Sequence, residues 1–200
     1  MFYYLEGTIA EIEPNMAVVD ISGVGFRCNT TVNTISKLET GKKHRLYTYC
    51  NIKEDAFDIY GFADTNERRC FELLIGVSGV GPKAALSILS SVTPENLAMA
   101  IINENDKILS SAPGVGKRIA QRIILELKDK IAKEAPAVAT AGSAVKVGAN
   151  LPGGRVNDAS AALTVLGYTP AEITAALRKI DTENLTTEEI IKEVLKSSLK

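Results

Sequence analysis

The sequence predicts a multidomain α+β protein: a small N-terminal β-barrel, a central helical region, a flexible linker and a C-terminal three-helix module. Three observations carry this prediction. Residues 1–63 are rich in short runs of alternating apolar and polar residues with β-branched and aromatic side chains. Residues 64–134 contain one turn-and-helix segment twice over. Residues 135–154 are Ala-, Val-, Gly- and Pro-rich with few charges, and helical periodicity returns over 155–200.

In the first region, strands are expected at Tyr3–Ile9, Ala17–Ile21, Phe26–Thr30, Leu46–Ile52 and Phe57–Phe62. Gly23-Val24-Gly25 sits between two of them and reads as a hairpin turn. A helical turn is expected near Thr34–Leu38, and His44, among Lys42, Lys43 and Arg45, reads as an exposed turn residue. Five or six short strands in about sixty residues suggest a barrel of the oligonucleotide-binding (OB) type. Glu54 and Asp55 fall at the tip between the last two strands, where composition alone reads them as a solvated turn.

The helical region opens at Asp64-Thr65-Asn66, a capping start. It then runs Val77-Ser-Gly-Val-Gly-Pro-Lys-Ala-Ala-Leu and, later, Ala112-Pro-Gly-Val-Gly-Lys-Arg-Ile-Ala-Gln. Gly79 and Gly114, Gly81 and Gly116, and Ala85 and Ala120 are each 35 residues apart. Each copy follows a helical pattern and opens another, so the region reads as tandem helix-hairpin-helix units. Glycine lets backbone approach a ligand closely, and the first N–H groups of a helix lack intrahelical partners and favour an anion. Lys83, Lys117, Arg118 and Arg122 can add charge there. One such turn alone is more often a plain tight turn; two of the same geometry point to two phosphates of a nucleic-acid backbone. In both copies Val80 or Val115 is expected to point inward, and Ala85 or Ala120 to permit close helix packing. Neither copy is a Walker A loop, and neither follows a strand or carries the third glycine of a dinucleotide site.

The formal net charge is −1, which excludes a general polycation and leaves any DNA affinity to local placement. The three cysteines, Cys28, Cys50 and Cys70, and the single histidine lack metal-ligand spacing. The cysteines are expected to be buried or half-buried free thiols in a reducing compartment. No metal, cofactor or catalytic residue is predicted. No signal peptide and no membrane-length apolar run is present, so a soluble, cytoplasmic, non-membrane protein is expected. Beyond the linker, helices are expected over Val156–Leu166, Ala171–Ile180 and Thr186–Leu199. Such a module has little core and suits docking a partner.

Several segments, in this order, resemble one family: Met1-Phe-Tyr-Tyr-Leu-Glu-Gly-Thr-Ile, Ile52-Lys-Glu-Asp-Ala-Phe-Asp-Ile-Tyr-Gly-Phe, the two Gly-Val-Gly hairpins, and Ala162-Leu-Thr-Val-Leu-Gly-Tyr168. The chain resembles the RuvA family of bacterial Holliday-junction-binding proteins, in all parts but the linker. The resemblance implies a homotetramer, sometimes closed into an octamer, that holds a four-way DNA junction open. It further implies an ATP-driven motor, RuvB, a resolving nuclease, RuvC, and a non-catalytic scaffold role for this chain in homologous recombination and DNA repair. It implies domains over 1–63, 64–134 and 155–200, the last a UBA-like module that docks the motor. By position, it implies DNA-backbone contacts at Gly79, Gly81, Lys83, Gly114, Gly116, Lys117 and Arg118, with Arg122 a weaker candidate. It makes Glu54 and Asp55 an acidic pin that repels phosphate at the crossover. Leu163, Leu166 and Tyr168 are the docking candidates, and the same residues are equally candidates for the module's own core.

Two other readings compete. A helix-hairpin-helix repair nuclease or glycosylase needs a catalytic Lys or Asp, or a cluster site, beside the second hairpin, and no suitably placed Asp or cysteine cluster follows it. A single-strand DNA binder would stack bases on Tyr3, Tyr4, Tyr47, Tyr49 and Tyr60, although alternation favours core packing at those positions.

Overall fold

Five strands close into a barrel in the computed structural model, which describes residues 1–134, 154–182 and 184–197. They are β1 (Tyr4–Glu13), β2 (Met16–Ile21), β3 (Val24–Asn29), β4 (Lys43–Ile52) and β5 (Phe57–Phe62), in the order β1-β2-β3-β5-β4. Only the β3–β5 pair is parallel. This is the expected OB-type barrel. Alternation puts Leu5 and Ile9 of β1, Ala17 and Val19 of β2, Cys28, Leu46 and Ile59 into one buried cluster. Tyr4, Glu6 and Thr8 lie between these on β1 and are left at least partly exposed.

Three local expectations are corrected. The β2–β3 turn is made by Ser22 and Gly23, which both take positive φ (54° and 86°), while Val24 and Gly25 already belong to β3. Positive φ at both central residues is the two-residue hairpin turn that matches strand twist. His44 is no turn residue: it lies on β4, paired with Gly7 of β1. The short helix also begins earlier than expected, as α1 (Val32–Ile35), because the Thr31 hydroxyl caps it by accepting from the Thr34 N–H at 3.0 Å.

Helix α2 (Thr65–Ile75) is capped by Asp64, whose carboxylate accepts from the Glu67 N–H at 2.9 Å. Its fully buried Phe71 packs on the barrel, with ring centroids 5.0 Å from Tyr60, 5.0 Å from Phe62 and 5.5 Å from Tyr49. Glu67, one turn earlier, is also buried and accepts from the hydroxyls of Thr31 and Thr34. Helix α3 (Pro82–Ser91) is tied to the barrel region through Asn33, whose side-chain amide donates to the Leu89 carbonyl at 2.6 Å.

The described residues group into two compact units. The first is Met1–Pro94 with Ser111–Val115, so the expected boundary between residues 63 and 64 falls inside it. The second comprises the described residues of Glu95–Ser110 and Gly116–Lys200. It holds most of α4 (Pro94–Ile102), then α5 (Asp106–Ser110), α6 (Lys117–Glu134), α7 (Gly154–Val165), α8 (Pro170–Leu177) and α9 (Thr187–Ser197). Helices α5 and α6 are joined by Gln121, which donates to the Asp106 carboxylate at 2.9 Å. Helix α8 starts with a capping box between Thr169 and Glu172, and Thr186 and Glu189 repeat that reciprocal pairing before α9. Among the described residues, no single helix is long and apolar enough to cross a membrane. The linker expected at 135–154 lies outside the described residues except for Gly154, which opens α7.

Candidate nucleic-acid interface

The two Gly-Val-Gly segments form the same turn. Val80 donates its N–H to the Val77 carbonyl, and Val115 donates to that of Ala112, each at 3.0 Å. The third residue of each turn has positive φ, 85° at Gly79 and 80° at Gly114. That is the type II condition, which calls for glycine there and accommodates Pro113 at the position before. Helical bonding then starts at the same place in both copies, with Ala85 donating to the Gly81 carbonyl and Ala120 to that of Gly116, each at 3.0 Å. Val80 and Val115 are buried and Ala85 and Ala120 fully so, as the sequence predicts.

Gly81 is the N-cap of α3 and offers no side chain to its first turn. Pro82 has no N–H, so Lys83 and Ala84 present backbone donors that no earlier helical carbonyl can accept. A Cβ built on Gly81 or Gly116 meets nothing within 4 Å, and neither residue has positive φ. Nothing in the chain's own packing therefore demands glycine at these two positions. A bare N-terminal turn that a ligand can reach closely is the remaining physical use for them.

The expected cations stand at the surface. Lys83, Lys117 and Arg118 are exposed, and Arg122 is exposed while reaching Glu126 at 3.9 Å. Lys83 lines a groove of about 750 Å³ in the first unit, together with Arg27 and Asp58 of the barrel and with Ser87 and Pro113. Ser87 on α3 donates its hydroxyl to the Pro113 carbonyl at 2.7 Å. The second turn is thus held by the helix that follows the first. Sequence reasoning missed Arg27 and Ser87: an isolated arginine on a strand and a serine in a helix carry no local signal.

Glu54 and Asp55 are both exposed at the β4–β5 tip, which is closed by the Lys53 N–H donating to the Ala56 carbonyl at 2.8 Å. Among the described residues, neither carboxylate forms an ion pair. The docking candidates lie inside the C-terminal module. Leu163, Leu166 and Tyr168 are 0%, 2% and 7% exposed, alongside buried Ile173, Ile190, Ile191 and Val194. A three-helix module this small needs these side chains inside, and they form its interior.

The barrel tyrosines divide. Tyr60 is buried against Phe71, and Tyr47 and Tyr49 are half-buried. Tyr3 and Tyr4 are exposed, but Arg68 and Arg45 already lie over their rings at 4.3 and 4.4 Å. The three cysteines are free and buried, and burial pushes the Cys28 thiol up to about 12. Among the described residues, no group of His, Cys, Asp and Glu is arranged to hold a metal ion.

Comparison with known proteins covers each described part. Residues 1–61 match the RuvA N-terminal domain, 71–129 the SAM-like helix-hairpin-helix tandem, and 154–199 the RuvA C-terminal domain. A protein of Acetivibrio thermocellus is 43% identical, with 98% of both chains covered. One from Caldanaerobacter subterraneus is 40% identical over the whole of both chains. One from Bacteroides fragilis is 41% identical, covering 98% of this chain and 99% of its own. Each of the three is named Holliday junction branch migration complex subunit RuvA.

Proposed function

The chain belongs to the RuvA family, and on that footing we propose that it binds four-way DNA junctions as the scaffold and specificity subunit of a branch migration complex. The observation that carries this reading is the pair of identical turns, each opening a helix whose first bonded carbonyl belongs to a glycine, Gly81 or Gly116. Backbone N–H groups recognise phosphate without reading bases, which suits a ligand defined by its shape. Gly79, Gly81, Lys83, Gly114, Gly116, Lys117 and Arg118 form the phosphate contacts, with Arg122 adding charge. Glu54 and Asp55 act as a pin, repelling phosphate where the strands cross.

The chain is itself non-catalytic. It works as a cytoplasmic homotetramer, with a second tetramer able to cover the opposite face of the junction. An ATPase of the RuvB type drives the DNA arms and a RuvC-type nuclease resolves them. The C-terminal module docks the motor through exposed positions, since Leu163, Leu166 and Tyr168 are interior.

The test separates binding from folding. Gly81→Asp places a good N-cap on α3 and a negative charge beside its first N–H groups. Thermal stability is expected to hold or rise, while affinity for a four-way junction falls by at least about ten-fold. Stable protein with unchanged junction affinity would remove the turn from the binding site.

A further inference from the structure

Ser87 occupies a place in the first repeat whose counterpart in the second is Arg122, and the two side chains do different work. Arg122 reaches Glu126 within its own helix. Ser87 instead leaves its helix and donates to the carbonyl of Pro113, the residue before Gly114. The hydroxyl is well placed for this, at 2.7 Å, and Pro113 fixes the backbone φ of the residue it holds. The segment Ser111–Val115 belongs to the same compact unit as Val77–Gly81, although residues 82–110 separate them in sequence.

We propose that Ser87 is a positioning residue: its bond to Pro113 fixes the second phosphate-binding turn at a set distance from the first, so that the two grip one DNA backbone as a single clamp. The inference rests on the junction-binding reading above. Two preset contacts lose less freedom on binding than two independent ones, which is where the affinity gain arises. Neither turn needs Ser87 for its own shape, because each is closed by its own backbone bond.

The experiment uses the full chain and a synthetic four-way junction at one fixed salt concentration. Ser87→Ala is expected to bind about five-fold more weakly because the second turn is no longer preset, with the thermal midpoint lowered by no more than the few degrees that one exposed hydrogen bond contributes. Ser87→Thr, which keeps the hydroxyl, restores affinity. In a Gly114→Val background, where the second turn is already disabled, Ser87→Ala has no further effect. Hydrogen exchange at the Val115 amide quickens in Ser87→Ala, while exchange at Val80 does not. A Ser87→Ala protein with wild-type affinity, or one whose loss is the same in both backgrounds, overturns the proposal. So does equal exchange at Val115. Failure of the unsubstituted chain to bind the junction would instead refute the underlying function.

Discussion

Glu67 shows how one side chain links the barrel to the helical part of the first unit. It is buried under α2, and both its oxygens are engaged, by Thr31 and Thr34. Burial nevertheless dominates and holds its carboxyl above the usual carboxylate value, against the lowering by those two hydroxyls. The folded state therefore holds this proton more tightly than the unfolded chain does. The favourable contribution is complete below the ordinary carboxylate range and is lost as pH rises through the raised folded value. Glu67→Gln removes that dependence, so its stability relative to wild type should improve from pH 4 to pH 8. Urea unfolding of both proteins at the two pH values measures this, and a constant difference contradicts it. Cys28 gives a second expectation at this scale. With its thiol pushed up to about 12, it stays neutral at pH 8 and should resist iodoacetamide in the native protein, then react on unfolding. Labelling of native Cys28, read by mass spectrometry, would contradict the buried placement.

At the scale of elements, the β4–β5 hairpin carries the clearest functional prediction. Glu54→Gln with Asp55→Asn removes two exposed carboxylates from this tip. Repulsion of phosphate weakens, so junction affinity should stay level or rise while linear duplex binds better. The ratio of junction to duplex Kd measures the change, and an unchanged ratio returns the tip to an ordinary solvated turn. The strands and both glycine turns were legible in the sequence because alternation and the repeated Gly-Val-Gly spacing are local patterns. His44 was misplaced because its charged neighbours Lys42, Lys43 and Arg45 hid a phase that continues through Leu46, Thr48 and Cys50. Glu67 gave no signal, since the threonines that bury it lie 36 and 33 residues earlier. Ser87 was silent for the same reason, its partner lying 26 residues on. Leu163, Leu166 and Tyr168 were seen as an apolar set, but spacing defines a face and does not say whether that face is covered.

At the scale of the whole molecule, the proposed function divides labour along the chain. The proposed phosphate-binding turns precede residue 135, and the proposed motor-docking module follows residue 154. Removing residues 155–200 should leave junction binding intact and abolish ATP-driven branch migration with a RuvB-type motor; full stimulation of the motor by the shortened chain would take the docking role from the module. Phosphate contacts release counterions, so affinity should fall as salt rises, with the logarithm of the binding constant declining linearly against that of salt. With a net charge of −1, that response must come from placed groups and not from bulk charge. The most direct measurement is the Kd for a four-way junction against that for a linear duplex with the same arm sequences, taken by gel shift at one salt concentration. The account predicts tighter binding of the junction by at least about a hundred-fold, a difference near 3 kcal/mol. Equal affinity for the two DNAs would contradict it.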